Sequence, residues 1–246
     1  MPILESNMDS FVAVDVETTG LNPCTEHIIE IGAVRIRAGR IEEEFQTFVQ
    51  PERKLSSFVT ELTGITDSML DGAPDIERAL RAFLDFAGQE ALLGHNVTFD
   101  YSFLKRHMAD IGEKFVRNGI DTLSIARKLL PDMEDRSLGA LCHYYQIENA
   151  RAHRAKEDAI AAFKLYCRLK DSYGGSLEVN KLFCPVPLYC RLKKNSPATA
   201  AQLRYLKALL ACHGLPEMEL ENLTKSEASR RIDKIILMHG KISNKM

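Results

Sequence analysis

No run of about 18 uninterrupted apolar residues occurs in the 246-residue chain, so no membrane-spanning helix is expected. The opening Met1-Pro2-Ile3-Leu4-Glu5 has neither a basic stretch nor a long apolar one, which argues against a signal peptide and makes the cytoplasm the default location. Paired cysteines are also missing: the six thiols are scattered with no CxxC pair, fitting neither a disulfide framework nor a thiolate zinc site. Cys184 and Cys190 lie near one another but have no second ligand pair. Internal repeats and low-complexity tracts are absent, which excludes solenoids and fibres.

What is present is enough apolar material, 45% of residues, for one substantial core plus a small appendage. The net charge of −2 hides an asymmetry. Residues 1–175 carry 20 Lys and Arg against 28 Asp and Glu, whereas residues 176–246 carry 12 against 6. An acid-rich part suggests a site that needs cations, and a basic part suggests a surface for something anionic; ordinary solvated faces are the plain alternative.

Phe11 to Glu17 is a short apolar run with two acids in it, ended by Thr18-Thr19-Gly20, and reads as a buried strand entering a turn. Ile28 to Arg37 and Ile41 to Val49 read as a hairpin joined through Ala38-Gly39-Arg40. Helical spacing follows at Ser57 to Leu62 and Asp75 to Phe86, then a strand at Ala91 to Gly94. Further helices are expected at Val97 to Met108, with Asn96 at its start, and at Ser124 to Leu130, Ser137 to Tyr145 and Ala155 to Tyr173. This order gives an α/β layer with a mixed sheet. Residues 176–195, including Lys193-Lys194-Asn195-Ser196, lack periodicity and read as a linker. Residues 196–246 read as a small basic module of two helices, Pro197 to His213 and Thr224 to His239, the second opened by a Thr-x-x-Glu capping box.

Side chains two apart on a strand share a face, so Asp15 and Glu17 emerge together; without cations between them they would raise each other's pKa. Asn96 and Asp100, four apart at a helix start, share a face there, although a capping Asn with a first-turn acid is the plain reading. His153 precedes Asp158 by five residues, the helix beginning between them, so the acid is fixed while the imidazole sits on the approach. Alone, a histidine between Arg151 and Arg154 would be an ordinary surface residue.

Taken in order, Asp-x-Glu-Thr-Thr-Gly, His-Asn-x-x-Phe-Asp and His-x4-Asp resemble the three motifs of the DEDDh exonuclease family, over about residues 9–173. Leu62 to Thr66 and Asp121-Thr122-Leu123 extend the match. The resemblance, which is to the proofreading exonucleases of bacterial replicative polymerases, implies a ribonuclease H-like fold and 3′→5′ hydrolysis of phosphodiesters, with DNA favoured and nucleoside 5′-monophosphates released. Four carboxylates suit two Mg²⁺ or Mn²⁺ ions about 3.5–4 Å apart. By resemblance, Asp15, Glu17 and Asp158 surround one ion, Asp15 bridges to the second, Asp100 acts partly through water, and His153 takes the proton of the attacking water, a role that suits an imidazole. Phe99, Leu62 and Thr63 would pack against the terminal nucleotide, and the main chain at Thr18 and Thr19 would lie near its sugar. Phe99 has a plain alternative as a core residue. Asn96 is expected to support the site, and Asp121 to be structural. The implied partners are nucleic acid with a free 3′ end and a DNA polymerase. Trimming of RNA or tRNA ends, or a non-catalytic nucleic-acid-binding role, are the rival readings.

Overall fold

The computed structural model describes residues 10–149, 152–191, 197–216, 220 and 223–242. Met1 to Glu5, Arg151 and Lys193 to Ser196 lie outside the described residues. Three strands open the fold, β1 (Phe11–Thr18), β2 (Ile28–Arg37) and β3 (Arg40–Phe48), followed by α1 (Ser57–Thr63), α2 (Asp67–Leu70) and α3 (Ile76–Ala87). Strand and helix then alternate through β4 (Ala91–Gly94), α4 (Val97–Asp110), β5 (Asn118–Asp121) and α5 (Thr122–Leu129), and α6 (Leu138–Tyr144) and the long α7 (Ala155–Tyr173) follow. Next come α8 (Leu177–Asn180), a 3₁₀ turn over Lys181–Phe183, β6 (Val186–Pro187), α9 (Ala200–Cys212) and α10 (Lys225–His239).

The six strands form one mixed sheet in the order β3-β2-β1-β4-β5-β6. β1, β2 and β3 are antiparallel, β4 and β5 run parallel to β1, and β6 closes the far edge antiparallel to β5. The hairpin turn is made by Ala38 and Gly39, at φ 49° and 71°, two positive values in succession that match the right-handed twist of the strands. Alternation along β1 divides the core: Val12, Val14 and Val16 pack towards α3 and α4, while Phe11 and Ala13 pack towards α5, α6 and α7. β2 is buried along nearly its whole length, because helices cover both faces of the sheet.

The expected elements are found where their periodicity is long, and the differences have physical causes. β5 is only four residues, Asn118-Gly119-Ile120-Asp121, too short to show alternation. α5 starts at Thr122 because Asp121 caps it, accepting from the Leu123 N–H at 3.1 Å. Residues 177–191, read as linker, are part of the fold: Phe183 is buried, β6 pairs with β5, and the Leu188 N–H donates to the Arg117 carbonyl at 3.0 Å. A two-residue strand carries no sequence signal; its register comes from Gly119, where a Cβ would meet Leu188 at 2.6 Å. The last two helices both begin in capping boxes, Thr199 with Gln202 and Thr224 with Glu227, and enclose a small apolar cluster of their own around Leu206, Leu209 and Ile235.

Candidate active site

β1 outruns its parallel neighbour. Pairing with β4 stops at Ala13 with Leu93 and β4 ends at Gly94 beside Val14, so Asp15 to Thr18 run past the end of β4, at the carboxyl ends of the parallel strands. The freed Val16 N–H donates to Asp100 Oδ1 at 3.0 Å, which pins the carboxylate of α4 against β1. Asp15 and Glu17 stand on the other strand face, towards α7, opposite Gly32 and Glu30 of β2.

Gly32 lets α7 approach. A Cβ there would lie 2.0 Å from the Lys156 nitrogen, so the first turn of α7 rests directly on the sheet beside Asp15. Glu30, fully buried, holds that turn: it accepts from Arg154 at 2.9 Å and 3.2 Å, from the Ala155 N–H at 3.3 Å and from Gln46 at 2.7 Å. Asp158 is thereby delivered to the crevice. One of its oxygens accepts from Asn149 Nδ2 and the other from the His153 N–H, both at 2.8 Å. His153 reaches this position in a left-handed backbone turn, φ 65°, and its ring is exposed. Donor atoms of Glu17, His153 and Asp158 all lie within 4.8 Å of one another.

The electrostatics are those of acids without a counter-charge. Burial, then Asp100, Glu17 and Asp158, push Asp15 well above the ordinary carboxylate range. Burial, then Asp158 and Glu30, raise Glu17 to about 8. Burial likewise raises Asp100 to about 8 against the lowering effect of the Val16 hydrogen bond, and it raises Asp158 against those from Asn149 and His153. Four carboxylates that resist ionisation together are a hard-oxygen donor set suited to divalent cations, which reverse this logic and keep them charged.

Around the acids, Asn96 opens α4 in a left-handed conformation, φ 68°, and its side chain makes no capping bond; its N–H donates to Asp121 Oδ1 at 2.8 Å. The plain reading of Asn96 as a side-chain cap is therefore not met; its backbone instead ties the start of α4 to Asp121. Asp121 also accepts from Ser124 Oγ at 2.7 Å, so its oxygens are committed to structure. Phe99 is half-buried against Phe103, ring centroids 5.0 Å apart. Leu62 is 46% exposed, but Thr63 is buried and its hydroxyl bonds within α1, to the Val59 carbonyl at 2.9 Å. Thr18 Oγ1 donates to the Gly20 carbonyl at 2.7 Å, and Thr19 Oγ1 to Glu26 at 2.7 Å.

Sequence reasoning missed Glu30, Gly32 and Asn149. An acid inside Ile28-Ile29-Glu30-Ile31-Gly32 was a signal of the same kind as Asp15 and Glu17, whereas Asn149 sits in a loop with no pattern around it.

Residues 12–166 match the family model described as Exonuclease, and residues 195–241 match a family described as a protein of unknown function. The DNA polymerase III PolC-type of Caldanaerobacter subterraneus subsp. tengcongensis is 41% identical over 159 residues, 65% of this chain and 11% of that protein. The Bacillus subtilis (strain 168) protein of the same name is 40% identical over 168 residues, 67% of this chain and 12% of that protein. The chain thus spans about a tenth of the length of these relatives. Among solved structures, Exonuclease X in complex with 5′ overhanging duplex DNA aligns with a TM-score of 0.57 at 24% identity, covering 70% of this chain and 99% of that one. The nuclease domain of 3′hExo, a DEDDh family member, bound to rAMP, aligns with a TM-score of 0.59 at 22% identity, covering 67% and 93%. At these identities the likeness establishes the fold. With the family match spanning more than half of the chain, the protein belongs to the exonuclease family.

Proposed function

We propose that the chain removes nucleotides one at a time from the 3′ end of DNA, with two Mg²⁺ or Mn²⁺ ions, releasing nucleoside 5′-monophosphates. The observation that carries this is the convergence of Asp15, Glu17, Asp100 and Asp158 at the overhanging end of β1, with the exposed ring of His153 beside Glu17 and Asp158. DNA is favoured because the relatives at about 40% identity are named DNA polymerases. When bound, the cations offset the charge of acids and phosphate, acidify the attacking water and stabilise the leaving oxygen.

Asp15, Glu17 and Asp158 would hold one ion, and Asp15 with Asp100 the other. Asn149 and the His153 N–H orient Asp158 for that role. His153, outside the rigid helix, takes the proton from the water. Leu62 and the half-buried Phe99 offer apolar surface to the terminal base, which any base can use. Thr18, Thr19, Thr63 and Asn96 shape the rim through backbone geometry. The catalytic unit extends past the expected boundary at 175 through residues 177–191, which join its sheet, 196–246 is a basic helical module, and a polymerase is the partner the relatives suggest. No helix among the described residues is long and apolar enough to cross a membrane, and we place the enzyme in the cytoplasm.

The test is degradation of 5′-labelled single-stranded DNA and matched RNA with Mg²⁺ or Mn²⁺. A ladder shortening from the 3′ end, abolished by Asp15→Ala and by EDTA and slowed about 10²–10⁴-fold by His153→Ala, is expected. Faster loss of RNA would move the substrate to RNA ends, and no metal-dependent shortening of either polymer would end the enzymatic reading.

A further inference from the structure

A groove with a cavity of about 390 Å³ lies between α5 and the segment that leads into and out of β6. Thr98, Asp121, Ser124, Lys128, Lys181 and Tyr189 line it. Its inner end reaches the start of α4, the helix that carries Asp100: Thr98 lies in the first turn of that helix, and Asp121 accepts from the Asn96 N–H. Its outer wall comes from residues 181–189, which lie between the two family matches at 12–166 and 195–241.

The chemistry of the lining is specific. Asp121 keeps its negative charge, but its oxygens are taken up by hydrogen bonds from the Asn96 and Leu123 N–H groups and from Ser124 Oγ, and it sits at the end of the groove towards α4. Lys128 is exposed at the end of α5, and Lys181 holds only an exposed ion pair with Glu178, of little worth in water. Tyr189, 78% exposed, lines the same groove. Two ammonium groups and an exposed aromatic ring on the lining of one groove suit a phosphodiester backbone with an unstacked base. A duplex base has both faces covered, so the ring selects a single strand.

We propose that this groove holds the single-stranded nucleic acid upstream of the scissile bond, with Tyr189 stacking on a base and Lys128 and Lys181 meeting phosphates. The inference rests on the exonuclease reading for its occupant, and its test is separate from the chemistry. Binding of a fluorescent oligothymidylate to the full chain is measured by anisotropy in an Asp15→Asn background across a range of salt. Lys128→Glu with Lys181→Glu is expected to weaken Kd about tenfold or more and to reduce the salt slope by about 1.4, two contacts at about 0.7 each. Tyr189→Ala is expected to weaken binding at least about fivefold on the single strand and not on the duplex. Lys114→Glu with Lys164→Glu, an equal charge change on two exposed residues outside the groove, controls for general attraction. Unchanged binding in the groove variants overturns the proposal, as does an equal loss with the Lys114→Glu and Lys164→Glu pair or an equal Tyr189 effect on duplex. Groove-dependent binding without any 3′ shortening by the wild type would sink the exonuclease reading alone.

Discussion

At the scale of single residues, the candidate site depends on side chains outside its own acids. Asp158 has one oxygen fixed by Asn149 and the other by the His153 N–H, so both its position and its rotamer are set before any cation arrives. Removing such an outer partner of a metal ligand costs about 10–100-fold in metal affinity or activity. Asn149→Ala should therefore raise the Mg²⁺ concentration needed for half-maximal exonuclease rate by that order, with little change in Tm. An unaltered Mg²⁺ titration would remove Asn149 from the site. The motifs made Asp15, Glu17, Asp100, Asp158 and His153 legible because spacing within one strand or one helix turn translates directly into a shared face. Asn149 was not legible, since its bond to Asp158 is made by a loop closure that leaves no periodic trace.

Among the elements, the short ones carry consequences that their length conceals. β6 and the residues after it cover the edge of β5, and Leu188 fills the space over Gly119 while Lys105 Nζ donates to the Cys190 carbonyl at 3.2 Å. A chain ending at residue 175 would leave the β5 edge bare, with its unpaired backbone groups open to another chain. It should melt at lower temperature than a chain ending at residue 191 and should self-associate, both measurable by thermal denaturation and size-exclusion chromatography. Equal Tm values and monomeric behaviour in both truncations would mean that the segment contributes nothing to the sheet. α7 teaches the converse lesson, since its length and periodicity were plain but its exact seat depended on one glycine in a distant strand.

For the whole molecule, opposed titrations set the response to pH. α10 docks at the far end of α4, where Arg230 pairs with Asp110 at 3.0 Å, beside the buried His27 and His107. Burial lowers both histidines to about 4, so they are neutral in the folded protein. Between about pH 6.5 and 4 the unfolded chain binds the additional protons, and the stability these histidines contribute is lost as pH falls through that window. The active-site acids work the other way when no cation is bound. With Glu17 and Asp100 raised to about 8, their contribution is fully present below the ordinary carboxylate range and is lost as pH rises towards 8. In EDTA the two effects oppose each other between about pH 4.5 and 6.5, so Tm should be nearly flat there and fall from about pH 6.5 towards 8, whereas Mg²⁺, by keeping the acids ionised, should abolish the alkaline fall and expose the acid one. A Mg²⁺ effect on Tm as large at pH 5 as at pH 8 would contradict this account.

The sequence by itself determined the exonuclease motifs, the two helices at the end and the cap of the second, the strand-rich opening and the sheet's flanking helices, because each is written in contacts between residues at most a few positions apart. Tertiary structure alone decided how the motifs meet. The overhang of β1 past β4 frees the Val16 N–H for Asp100, the missing Cβ at Gly32 admits α7, and the buried Glu30 clamps the start of that helix through Arg154. It also decided that residues 177–191 belong to the sheet and border a groove, since a two-residue strand is specified by its partner's edge and not by its own pattern.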